Sequence, residues 1–211
     1  VITVRRRTGI DQGYVAVRHT PPVPQFGVTF ATVDPQSSWT RRNRGLYAAL
    51  GGAVTLLVVG LIAHVAQQPF LVPSLGPTAF VIYFAAGSRQ AAPRNVVCGQ
   101  LIGVACGVLS VVLLGLRGVP VDLTDIDFRR LAAAVLALSL TFILMSWLGV
   151  EHAPAGATTL IVALGVVHTS WGILALTAAV FCTVGIAIAL NRIFKVPYPM
   201  WAPREAEVAS L

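Results

Sequence analysis

Four unbroken apolar runs, residues 46–65, 96–116, 131–150 and 171–190, constrain this chain more than any other feature. Each matches the ~20 residues that cross ~30 Å of hydrocarbon as a helix. In lipid, every backbone N–H and C=O must be bonded within a helix or a closed barrel. Barrel strands show about ten residues of alternating polarity, which these solid blocks lack. Charged residues make up only 11% of the chain, against roughly 25% in soluble domains. The expected fold is therefore an all-α membrane protein with four transmembrane helices.

Between the long runs lie two shorter apolar segments, 71–86 and 153–167, each broken by Gly and Pro. One reads Pro73-Ser74-Leu75-Gly76-Pro77-Thr78 and the other His152-Ala153-Pro154-Ala155-Gly156-Ala157-Thr158-Thr159. An offset of eighty places Gly76 on Gly156 and Thr78 on Thr158. The chain thus reads as two internal repeats, each a long helix, a short broken helix and a long helix. Short interrupted segments at matching places in two halves mark a membrane binding site. The same offset sets Gly99, Gly103 and Gly107 against Ala179, Thr183 and Ala187. The three glycines form a GxxxG face on which helix backbones can approach closely.

Two topologies fit. Pro77 to Ala86 spans ten residues, or ~15 Å of helix, about half the ~30 Å of the hydrocarbon core. That length favours re-entrant short segments. The alternative is six spans arranged as inverted 3+3 repeats.

The formal charge is +7, and the basic residues gather at run ends: Arg41, Arg42 and Arg44, then Arg129 and Arg130, then Arg192 and Lys195. Such charge sets topology by the positive-inside rule, and it points to an inner or cell membrane with both termini cytoplasmic. No basic stripe interleaved with aromatics suggests nucleic acid. The polar, Arg-rich residues 1–44 read as a cytoplasmic arm, with one alternating stretch at 26–33 that would suit a strand. Membrane repeats follow at 45–116 and 131–195, joined by a polar linker at 117–130, and a tail occupies 196–211. Asp122, Asp125 and Asp127 in the linker lack the Gly and terminal Glu of an EF-hand. Cys98, Cys106 and Cys182 form no CxxC pair, so neither a zinc site nor a disulfide framework is expected.

The short helices are expected to begin at Gly76/Pro77 and at Gly156/Ala157. A helix N-terminus carries unsatisfied N–H groups and about half a positive charge, which together favour an anion. Ser74, Thr78, Thr158 and Thr159 would add hydroxyl donors. Glu151 and His152 form an ionisable pair at the end of a membrane run, a functional site by default. His152 titrates close to neutral pH in water, so the pair suits proton coupling. The candidate substrate-binding set is Ser74, Gly76, Thr78, His152, Gly156, Thr158 and Thr159; Glu151 and His152 are the proton-coupling pair. Gln100, inside the Gly-rich run, is placed to hydrogen-bond across it.

The stretch from His152 to Thr158 resembles the signature motif of the HPP family of integral membrane proteins. Ser74-Leu75-Gly76-Pro77-Thr78-Ala79 and Pro93-Arg94-Asn95 resemble the upstream motifs of that family, and the resemblance covers about residues 40–192. Ala153 stands where the name motif has its first Pro. The resemblance implies a four-span protein and, because plastid and cyanobacterial relatives are linked to nitrite transport, a transporter or channel for a small monovalent anion, nitrite foremost. An accessory or structural subunit is the alternative function. An enzyme is not expected, since no second His or acid is spaced to join Glu151 and His152. No cofactor is implied, and the expected partners are the lipid bilayer and further membrane subunits or copies of the chain.

Overall fold

The computed structural model describes residues 41–119, 121 and 127–203. The arm with its 26–33 stretch, together with Asp122 and Asp125, lies outside the described residues. Six helices follow one another: α1 (Arg41–Ala66), α2 (Leu71–Phe84), α3 (Pro93–Leu113), α4 (Phe128–Leu148), α5 (Ala155–Ala163) and α6 (Ser170–Ile193), with a 3₁₀ turn at Arg89–Ala91. Four of them, α1, α3, α4 and α6, are long and apolar enough to span a bilayer.

Local chemistry sets the helix ends. The Asp127 carboxylate accepts the Arg130 N–H at 2.8 Å and caps α4, so this acid of the polar linker starts a helix. The linker therefore ends three residues earlier than the run of apolar residues implies. Gly149, at φ +60°, closes α4 in the left-handed conformation that glycine adopts without strain. Pro93 opens α3 at a position whose N–H has no intrahelical partner anyway.

Contacts between helices fix their directions. Gly60 lies beside Val72 and Gly51 beside Tyr83, so α2 runs antiparallel to α1. Gly99, Gly103 and Gly107 meet His152, Thr159 and Val162 in order, so α5 runs parallel to α3. Tyr47 near the start of α1 bonds Asn191 near the end of α6, and Arg94 at the start of α3 bonds the Leu148 carbonyl at the end of α4. At the opposite end, Gln68 after α1 lies against Gly172 in α6, and Arg130 at the start of α4 lies against Gly165 after α5. All six helices thus alternate in direction. The short helices pass through the bundle instead of turning back, which is the inverted 3+3 arrangement.

The packing repeats this symmetry. α1 packs on α6 as α4 packs on α3, α2 leans on α6 as α5 does on α3, and α2 meets α5. The register differs from the offset of eighty, however. The ends of α1 and α4, Ala66 and Leu148, are offset by 82, and the loop before α5 is two residues longer than the loop before α2, so Leu71 corresponds to Ala155, an offset of 84. Large apolar side chains such as Leu57, Phe142, Trp147 and Phe181 stand exposed around the outside, as a bilayer-facing surface requires.

Candidate functional site

The expected start of the first short helix is displaced. α2 begins at Leu71, five residues before Gly76, and carries Pro77 inside it. Pro77, the seventh of its fourteen residues, lacks the N–H that would bond the Pro73 carbonyl, yet the helix runs through it. Ser74 and Thr78, four residues apart, share the buried face of α2. Gly76 lies two residues from each, on the other side, where it lines a groove against Gly45, Ala48 and Gly52 of α1. Gly76 therefore takes no part in the site. α5 begins at Ala155, one residue before the expected position.

On the inner side, the two halves meet through polar side chains. The Ser74 and Thr158 hydroxyls lie 2.6 Å apart. Thr158 in turn donates to Gln100 Oε1, and Gln100 Nε2 donates to Thr78 Oγ1 at 2.8 Å. Thr78 Oγ1 lies 3.1 Å from His152 Nε2, and His152 Nδ1 lies 2.8 Å from the Gln90 carbonyl. All five side chains are buried, the most exposed being 1% accessible. Gln100 sits seven residues into α3, ~10 Å from its start.

The chemistry of these groups gives the chain one direction. A carbonyl only accepts, so Nδ1 carries the hydrogen, and in the neutral ring Nε2 is then the acceptor. Thr78 then donates to Nε2, and Thr158, committed to Gln100 Oε1, accepts from Ser74. The sequence Ser74 → Thr158 → Gln100 → Thr78 → His152 → Gln90 is satisfied at every link. A buried polar group without a partner costs ~1–3 kcal/mol, so this network is also a structural clamp between the halves.

Other candidates lie nearby but apart. Thr159 bonds the Ala155 carbonyl and lies 3.1 Å from the Thr141 hydroxyl, facing α3 and α4. Gly156 lines a cavity of about 380 Å³ with Gln90, Thr141, Met145, Glu151 and His152. Glu151 reaches outward to Arg89 at 3.7 Å, both side chains largely exposed, so the Gln90 carbonyl and not Glu151 orients the imidazole. The glycine face of α3 is filled by α5: a Cβ at Gly103 would stand 2.7 Å from Thr159 Oγ1 and 2.9 Å from the Ala155 carbonyl. Gln100, expected to hydrogen-bond across the Gly-rich run but not placed in the candidate set, is the central member; its signal was an amide inside a twenty-residue apolar run. Next to Gln90 in the chain, the Ala91 carbonyl accepts from the Tyr198 hydroxyl at 2.8 Å, and burial raises that phenol above the usual range.

The transmembrane region of the HPP family matches residues 38–199, most of the chain.

The chain belongs to the HPP transmembrane family.

This HPP chain is also 34% identical over 116 residues to a transmembrane protein of Dictyostelium discoideum, a match covering 53% of this chain and 37% of that relative. The chain thus spans little more than a third of the length of the relative it matches. No solved structure matches it.

Proposed function

We propose that this HPP protein is a transporter or channel for a small monovalent anion, with nitrite the leading candidate, and that the anion passes where the first turns of α2 and α5 meet. The observation that carries this reading is the Ser74–Thr158 contact. It joins two helix-start turns through their hydroxyls inside a membrane bundle. The site holds neutral donors and a neutral ring, which suits an ion that must be bound weakly enough to leave again. The cavity beside Gly156, Glu151 and His152 supplies an approach from one end. On this reading the protein performs no bond chemistry and is not an enzyme.

The same topology supports an orientation. Arg42, Arg44, Arg89, Arg94, Arg192 and Lys195, six residues, sit at the end where α1 begins; Arg117, Arg129 and Arg130, three, sit at the other. The positive-inside rule places the more basic end in the cytoplasm. Association of several copies is part of the proposal.

A second reading is a non-transporting accessory subunit. It is favoured by the small-residue groove of α1 and α2, where Gly45, Gly52 and Gly76 leave room for another helix. Flux separates the two. Purified protein in liposomes should take up nitrite and nitrate above the protein-free rate, with nitrate as the check against diffusing nitrous acid. Thr158→Val should reduce that flux severalfold. Uptake no faster than in protein-free vesicles would reject transport and favour the accessory subunit.

A further inference from the structure

Building on the anion-transport reading, we propose that the proton is the coupled ion and that Gln100 is the switch linking proton to anion. Protonating His152 adds a hydrogen at Nε2. That hydrogen meets the Thr78 hydroxyl hydrogen at a 3.1 Å contact and the Gln100 amide N–H at a 3.5 Å contact, two donor–donor conflicts. Rotating the Thr78 hydroxyl relieves only the first. Turning the Gln100 amide over by half a turn relieves both, because Oε1 then faces α2 and the ring.

Every hydrogen bond beyond the ring then reverses. His152 Nε2 donates to Thr78, Thr78 to Gln100 Oε1, Gln100 Nε2 to Thr158, and Thr158 to Ser74. No heavy atom leaves the chain; one proton has been added at His152 and one amide has turned. The consequence falls on Ser74. In the neutral state its hydrogen is committed to Thr158, whereas in the protonated state Ser74 accepts and its own hydrogen is free for an anion. Proton and anion therefore favour the same state, and the transport is symport. Linkage makes the effect reciprocal: the anion raises the proton affinity of His152 by the factor by which the proton raises anion affinity.

Few other charges face the ring. The 3₁₀ turn presents the Gln90 carbonyl, and the Arg89–Glu151 pair lies beyond it at the surface. Gly99 of α3 and Met145 of α4 border it with apolar atoms, and Arg94 is directed to the Leu148 carbonyl. Among the described residues no carboxylate touches the imidazole, so His152 is the group that takes the proton.

Nitrogen-15 NMR of histidine-labelled full-length protein in lipid nanodiscs tests this without relying on flux, with the His152 signals assigned by their loss in His152→Asn. At pH 8 the ring should show the Nδ1–H tautomer; the Nε2–H tautomer would overturn the proposal. Adding nitrate should raise the His152 titration midpoint by ~1 unit, a tenfold coupling within the usual allosteric range. Ser74→Ala should keep the tautomer and lose the shift, and Gln100→Met should lose the shift as well. A wild-type midpoint indifferent to nitrate, or an undiminished shift in Ser74→Ala, would refute the switch. In proteoliposomes, nitrate uptake should carry protons inward. Nitrate flux without proton movement refutes the coupling alone, whereas absence of nitrate flux refutes the transport reading, and the NMR arm still decides the switch.

Discussion

Ser74 and Thr158 hold the same place in their helices, the fourth residue of α2 and of α5, and their hydroxyl oxygens lie 2.6 Å apart. A contact between equivalent positions of two inverted halves falls on the axis that exchanges them. The polar network extends from that point to one side only. Thr78 has a hydroxyl, but its counterpart at the offset of 84 is Val162. The halves share a backbone plan, while the hydrogen-bonded chain to His152 belongs to a single side.

Removing the hydroxyl at the axis should be costly. Thr158→Val keeps the shape of the side chain but leaves Gln100 Oε1 without its donor and Ser74 without its acceptor. Each orphaned buried group costs ~1–3 kcal/mol. Thermal unfolding in detergent should show a clear loss for Thr158→Val and little change for Thr158→Ser. Equal stability of all three proteins would mean the network is not closed as described.

The α3–α5 contact should tolerate no added carbon at Gly103. Thr159 can shift a little, but the Ala155 carbonyl is backbone and cannot. Gly103→Leu should lower stability by ~1–3 kcal/mol or more, the cost of overpacking. Gly185 has nothing within 4 Å of an added Cβ, and as a helical glycine it should gain ~1 kcal/mol or less on replacement by Ala. The two variants should therefore move the melting temperature in opposite directions.

Gly165 should be intolerant chiefly through its backbone conformation. Its φ of +80° is unfavourable for a side chain, and an added Cβ would stand 2.6 Å from Arg130 Nη1. Left-handed backbone alone costs roughly 1–2 kcal/mol per non-glycine residue. Gly165→Ala should lower the melting temperature, whereas Gly156→Ala, whose nearest neighbour is Leu138 at 3.5 Å, should be close to neutral. A reversed order would contradict the packing at the far end of α5.

Topology can be read by single cysteines in a background without Cys98, Cys106 and Cys182. Alternating helices put Ser88 and Lys195 at one end and Gly118 at the other. A membrane-impermeant thiol reagent added outside should label Ser88→Cys and Lys195→Cys alike, and Gly118→Cys in the opposite sense. Labelling of Ser88→Cys from the face opposite Lys195→Cys, with Gly118→Cys on the same face as Lys195→Cys, would restore the re-entrant arrangement.

The sequence by itself determined the solvent and the class of fold. Solid apolar runs of about twenty residues leave the backbone no partners except its own helix, and that constraint needs no tertiary knowledge. It also marked Ser74, Thr78, His152 and Thr158, because hydroxyls and an imidazole inside apolar segments must find partners there. What only the tertiary structure decided was which partners they find. Because α2 starts at Leu71, Gly76 lies inside the helix and not at its N-terminus, and packing turns it toward α1, away from Ser74 and Thr78. The helix starts at Leu71 and Ala155 set the register at 84 and not 80, and so paired Ser74, not Thr78, with Thr158. Glu151, next to His152 in the chain, points outward to Arg89, while a backbone carbonyl from a distant turn holds the ring. Chain neighbours share a place along the backbone, but side-chain direction and loop length decide which groups meet. Neither is written in the local pattern of residues.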